Sequence, residues 1–119
     1  DVNTSFNNEF YSIKMNNHQI AELDLDYNLF YATDTRGTLV NVVDGSGRWR
    51  MGDWTDYQRT FGWDSNSPAP IDPGFVSAPD DLHLSATSPA RGIGLWLSEV
   101  TTDIDGVTRS DPPCLGAYE

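Results

Sequence analysis

The stretch from Asp72 to Gly94, DPGFVSAPDDLHLSATSPARGIG, decides how the chain is built. It opens on a Pro-Gly turn and runs through a short apolar pair, Phe75-Val76, to an acidic turn at Asp80-Asp81. An alternating Leu82-His83-Leu84 and a Ser88-Pro89 corner follow. No piece is long enough for a helix, and turn residues return every few positions, so the segment is predicted to fold as brief strands around corners. Pro68, Pro70 and Pro73 stiffen the approach and bar a central hydrogen-bonded strand at Phe75-Val76.

Outward from this stretch, the N-terminal part carries a repeat. Asn8, Phe10 and Tyr11 recur 20 residues later as Asn28, Phe30 and Tyr31, a spacing that suits one turn of a β-solenoid. Stacked turns would place Phe30 on Phe10 at about 4.8 Å, with parallel strands forming the wall. Two turns are too few to be stable alone, since solenoid repeats bury their faces only against neighbours. Further coils upstream, the C-terminal segment or self-association through the open coil edge must complete the stack. Between the repeats, Ile13, Met15, Ile20, Leu23 and Leu25 alternate with polar residues around an Asn16-Asn17 turn, as half-buried strands do.

Several phrases resemble the closing region of secreted right-handed parallel β-helix proteins of the pectate-lyase-like superfamily. Residues 72–94 are similar to that group's "DP-x-F-x-x-P … DFHL … SPAIDAG" run. DIDGVTR and the terminal CLGAYE resemble its "D-x-DG-x-x-R … DIGAYE" ending, and NNEFY and DYNLFY its coil phrases. The resemblance implies an all-β chain, the C-terminal portion of a right-handed parallel β-helix, with one short α-helix at about 53–61. It divides the chain into last coils (1–34), a hairpin and helix excursion (35–67), and a closing coil with cap (68–119). It also implies a secreted or cell-surface protein that binds or processes polysaccharide, with no complete active site in these residues, and a parent chain whose upstream coils and export signal precede Asp1. Such folds also serve as adhesins and structural proteins, and a small oligomeric β domain is a further alternative. The match is imperfect: Arg91-Gly92 replaces an apolar-acidic pair, and Cys114 stands where an aspartate is common.

The excursion is legible from the residues themselves. Leu39-Val40 and Val42-Val43, the Asp44-Gly45-Ser46-Gly47 turn and the return strand Arg48 to Met51 predict a β-hairpin. Asp53 is placed to cap a helix over DWTDYQRTF, with Asp56 as the capping-box acid and Gly62 just beyond its end. Trp54, Tyr57, Gln58 and Phe61 share one face of that helix, which should lie on the β-stack. The resembling proteins carry a similar helix here, followed by a turn like Asp64-Ser65-Asn66-Ser67.

With 119 residues, the chain is one domain at most. Its net charge of −11 repels nucleic acid and anionic lipid, and no apolar run is long enough to span a membrane. Cys114 is the only cysteine, which rules out an intrachain disulfide and favours a buried, inert thiol.

Four of the seven basic residues, Arg36, Arg48, Arg50 and Arg59, fall in the excursion. Arg48 and Arg50 would share one strand face, and with Trp49 and Tyr57 as stacking rings they form a candidate carbohydrate-binding set for an acidic polysaccharide. The competing reading puts Trp49 in the core and pairs the arginines with surplus acids. Asp24 and Asp26, two apart on a strand, are the weak catalytic candidates for a polysaccharide lyase or glycoside hydrolase, and an acidic outward face explains them as well. Arg48 or Arg50 could serve as a lyase base, with nothing in their spacing to mark them out. No cofactor is required. Asp103 and Asp105 before Gly106 suggest calcium, but the ligand spacing fails beyond them and a hairpin turn at Asp105-Gly106 accounts for them better. His18 and His83 are single histidines; His83 is expected to cover a corner and donate one hydrogen bond. Leu95-Trp96-Leu97 is the expected last buried strand, and Leu115 to Tyr118 should pair at the end.

Overall fold

The computed structural model describes residues 11–15, 23–33, 38–42 and 47–119, without the side chains of 11–15 and 39–42. The Asn8, Phe10, His18, Ile20 and Arg36 expectations, the side chains of Tyr11, Ile13 and Met15, the Asn16-Asn17 turn and the Asp44 to Ser46 turn lie outside it. The elements are β1 (Tyr11–Met15), β2 (Thr38–Val42), β3 (Gly47–Arg50), α1 (Trp54–Phe61), β4 (Phe75–Ser77) and β5 (Asp81–Leu84).

The described residues do not form a right-handed parallel β-helix. β1 pairs in parallel with β2, in the register Tyr11 to Thr38 and Met15 to Val42, and β2 pairs antiparallel with β3. The twenty-residue repeat requires Tyr11 to lie beside Tyr31, yet residues 28–32 form no strand. The β-hairpin supplies a ready edge, and β1 takes it. Meanwhile side chains of the later DSNS turn hold residues 26–28 as irregular chain. Phe30 is buried against Trp54, with ring centroids 6.0 Å apart.

The hairpin and helix form as their local sequence dictates. Along β3, Arg48 and Arg50 face solvent while Trp49 turns inward. Gly62 ends α1 at φ 72°, and its N–H donates to the Gln58 carbonyl at 2.8 Å. Asp53 occupies the cap position, but its carboxylate accepts from the Arg50 amide at 2.9 Å. Asp56 turns to Arg59 instead of the helix start, at 2.7 Å and largely in solvent. Trp54 and Tyr57 are buried, and with Phe30 and Trp63 they make the first core cluster. Phe61 stacks on Trp63 at 4.6 Å and meets Trp49 edge-on at 5.6 Å.

One carboxylate organises the junction between α1 and residues 25–28. Asp64 has no solvent exposure, and its oxygens accept from Tyr57 Oη (2.6 Å), Ser67 Oγ (2.7 Å) and Asn28 Nδ2 (2.8 Å). Its N–H donates to the Leu25 carbonyl at 2.6 Å, and its own carbonyl accepts from Gln58 Nε2 at 2.6 Å. Nearby, Asp26 accepts from the Asn66 amide and side chain at 2.8 and 2.6 Å. Both ends of the DSNS turn are therefore tied back to the strand-less segment.

The C-terminal half packs on a second, smaller cluster of Leu84, Ala90 and Cys114, with Leu29 and Leu115 against it. β4 and β5 pair antiparallel as a two-stranded sheet, so each is an edge, as the prolines require. Ser88 Oγ donates to the Pro73 carbonyl at 2.5 Å and closes the corner of the Asp72 to Gly94 stretch. The 101–109 segment turns back at Gly106 (φ 80°), with Thr102 bridged antiparallel to Thr108. Leu95-Trp96-Leu97 is not a buried strand: the run finds no ladder partner, and all three side chains are exposed.

Arg109 and Glu119 knit this half together. Arg109 donates from Nη2 to the Gly116 carbonyl at 3.0 Å, and its other nitrogens reach the Thr102 and Cys114 carbonyls at 3.4 Å. Glu119 accepts from the Ser110 amide and hydroxyl and from the Cys114 amide, and it faces Arg109 at 3.6 Å. Burial opposes its ionisation, but the Ser110 and Cys114 donors and the Arg109 charge outweigh that and hold its carboxyl below the usual range.

Candidate functional site

An open groove of about 520 Å³ lies where three separate stretches meet. Residues 27–31 supply Tyr27 and Tyr31, the β4–β5 hairpin supplies Phe75, Leu82 and Leu84, and the C-terminal run supplies Tyr118. Four aromatic rings thus border one hollow. Tyr27 stands at φ 55°, an uncommon conformation for a bulky residue, and its amide is held by the Asp26 carboxylate at 2.9 Å. Asp26 in turn is fixed by Asn66, so the DSNS turn sets the backbone from which Tyr27 projects.

The walls are braced at both aromatic ends. Asp72 accepts the Gly74 amide at 2.8 Å, and its hydrogen bond and charge push the Tyr31 phenol above its ordinary pKa. The His83 ring lies 4.2 Å from the Tyr118 ring and bridges two carboxylates, with Nδ1 2.6 Å from Asp81 and Nε2 2.8 Å from Asp105. The Asp105 contact ties β5 to the 103–107 turn, while the Asp81 contact stays within β5, so the ring makes two hydrogen bonds where the sequence suggested one.

Those contacts set the sign of a pH effect. Hydrogen bonds to Asp105 and then Asp81 raise the His83 pKa, while the backbone and ring contacts of His83 lower that of Asp81. The histidine's contribution is complete below the ordinary imidazole value, about 6.5, and is lost as pH rises through its raised folded value. The Asp81 contribution is complete above about 3.9 and is lost as pH falls through its depressed folded value. An NMR titration of the imidazole is expected to show a midpoint above that of a free histidine, which Asp105→Asn lowers. An unshifted midpoint would mean that the bridge does not form in solution.

The residues singled out from the sequence do not converge. Arg48 and Arg50 lie on the outer face of β3, whereas Trp49 packs against the first cluster and Tyr57 is fully buried with its hydroxyl spent on Asp64. Burial and that hydrogen bond push the Tyr57 phenol far up, so it stays neutral. No shared surface of two guanidiniums and two rings results.

Asp24 and Asp26 sit on irregular chain, not on a strand. Asp24 is exposed, while Asp26 borders a second hollow of about 330 Å³ near Leu95 and Arg109. Burial acts against ionisation of Asp26, but the Asn66 and Tyr27 donors prevail and hold its pKa down. A carboxylate so held is a poor proton donor.

Asp103 accepts the amides of Val107 (2.8 Å), Asp105 (2.9 Å) and Glu119 (3.0 Å), and Asp105 takes the histidine. Burial opposes the charge on Asp103, and the three amides and Arg109 restore it. Three of the roughly four acceptor positions of the Asp103 carboxylate are thus taken by N–H donors within the fold. Among the described residues, no cluster of three or more His, Cys, Asp or Glu is arranged to hold a metal ion, and no helix is long and apolar enough to cross a membrane.

Sequence reasoning missed the groove because its rings come from positions far apart in the chain. Tyr27, Phe75 and Tyr118 carry no common spacing. The sequence marks Tyr31 as a repeat position, Phe75 and Leu82 as strand residues and Tyr118 as part of the closing pair, and none of them for binding. Comparison with protein-family models, with curated proteins and with solved structures finds no match to this chain.

Proposed function

We propose that this chain binds polysaccharide, and that it does so in the groove between Tyr27, Tyr31, Phe75 and Tyr118. The observation that carries the reading is four aromatic rings around one open hollow of a size suited to a short run of sugars. Pyranose rings present apolar C–H faces that stack on aromatic side chains, and tyrosine adds a hydroxyl at the rim for the sugar's own hydroxyls. Asn28 lines the same hollow, its side-chain N–H engaged by Asp64, and the Asp72 carboxylate stands beside Tyr31 at the rim. A secreted or cell-surface location goes with such a ligand.

The reading is of binding rather than turnover: Asp26 is held by Asn66 and borders the other hollow, and His83 is engaged by two carboxylates, so among the described residues neither stands as a free acid or base in the groove. Affinity electrophoresis in soluble glucans, galactans and uronates tests this. At least one polymer is expected to retard the protein, and Tyr31→Ala and Tyr118→Ala should each weaken that retardation by about tenfold without changing the circular dichroism. Retardation that both variants retain would remove the groove from the reading. New reducing or unsaturated ends after incubation would turn it into an enzyme.

A further inference from the structure

The charges around the groove select its ligand. We infer that it takes neutral polysaccharide and discriminates against uronates, an inference that rests on the glycan reading above. Asp72 stands beside Tyr31, and Asp81 and Asp105 flank the histidine that lies on Tyr118. Each of these rings lines the groove or touches one that does.

Among the described residues, positive charge to offset three carboxylates is scarce there. His83 carries at most one charge, shared between two acids, and Arg91 follows the lining residue Ala90 in an exposed position. Arg109 is directed into the carbonyls of Thr102, Cys114 and Gly116 and toward Glu119. Arg48, Arg50 and Arg59 belong to the hairpin and helix, and none lines the groove. The chain as a whole adds a charge of −11, which repels a polyanion before contact.

A uronate brings one negative charge per sugar into this field, and its neutral counterpart brings the same ring without it. Repulsion acting over several such pairs at less than a Debye length, about 8 Å in physiological salt, is expected to weaken a hexauronate about tenfold or more. The arginine pair on β3, which the sequence suggested for uronates, faces elsewhere.

The test is calorimetry with matched hexaoses: gluco-, galacto- and manno- forms against their uronate counterparts. A neutral form should bind at least about tenfold more tightly than its uronate. High salt should close the gap, and so should the double variant Asp72→Asn with Asp105→Asn. A uronate that binds as well as its neutral partner, with binding lost in Tyr31→Ala, overturns the charge selection and leaves the groove standing. A gap that survives high salt likewise overturns an electrostatic origin. No binding by any hexaose overturns both this inference and the glycan reading.

Discussion

Replacing Asp64 with alanine is expected to cost the fold about 3–5 kcal/mol, read as a fall in the urea midpoint at unchanged slope. Three donors, Tyr57 Oη, Ser67 Oγ and Asn28 Nδ2, lose their acceptor together in a site with no solvent exposure. Each buried donor left without a partner costs about 1–3 kcal/mol, and the Ser67 and Asn28 groups can turn in part toward water. Alanine also tolerates the backbone at φ 55° less well than aspartate does, adding about 1 kcal/mol. Asp64→Asn separates these effects. It keeps an acceptor and the backbone tolerance, so its loss should be about half as large. A loss below about 1 kcal/mol for alanine would show that the buried knot does not form. Against a typical total of 5–15 kcal/mol, the full effect leaves the chain marginal.

The second large effect belongs to Arg109. Arg109→Met keeps the apolar stem but removes the donors to three carbonyls and the charge facing Glu119, both side chains being largely buried. Breaking one partner of a buried pair costs about 3–5 kcal/mol at well-made contacts, and at 3.6 Å this pair should fall at the lower end. The loss should be local. Amide exchange is expected to speed up at Ile104 and Leu115, whose N–H groups bond Ala117 and Ala90, while Gly62 and Asp64 remain protected. Uniform loss of protection would mean that the two halves unfold as one.

What the sequence made legible was local. The hairpin, the α1 boundaries at Asp53 and Gly62, the inward Trp49 between outward arginines and the turn at Gly106 each follow from signals within a few residues. Pairing across the chain was not legible. Three matched positions twenty apart fit any packing that keeps Phe30 buried, and the structure buries it under Trp54 without a coil. β1 does pair in parallel, with β2 as its partner, because two hydrogen-bonding edges compete on geometry that no spacing records.

The candidate site shows the same divide. Tyr57 was assigned both to the inward face of α1 and to a sugar-binding surface, and only the first can hold. Asp64 gave no sign of burial, since in a chain with eighteen acids a carboxylate reads as solvated. Its three donors come from as far away as Asn28. In the C-terminal stretch, Asp103, Arg109 and Glu119 meet in one hydrogen-bonded network that no local spacing shows.

The most direct measurement is an NMR titration of the labelled chain with a neutral hexaose that binds. Shifts should gather at Tyr27, Tyr31, Phe75, Leu82 and Tyr118, the residues around the groove. Shifts confined to Arg48, Trp49 and Arg50 on the hairpin would contradict the groove as the place where the glycan sits.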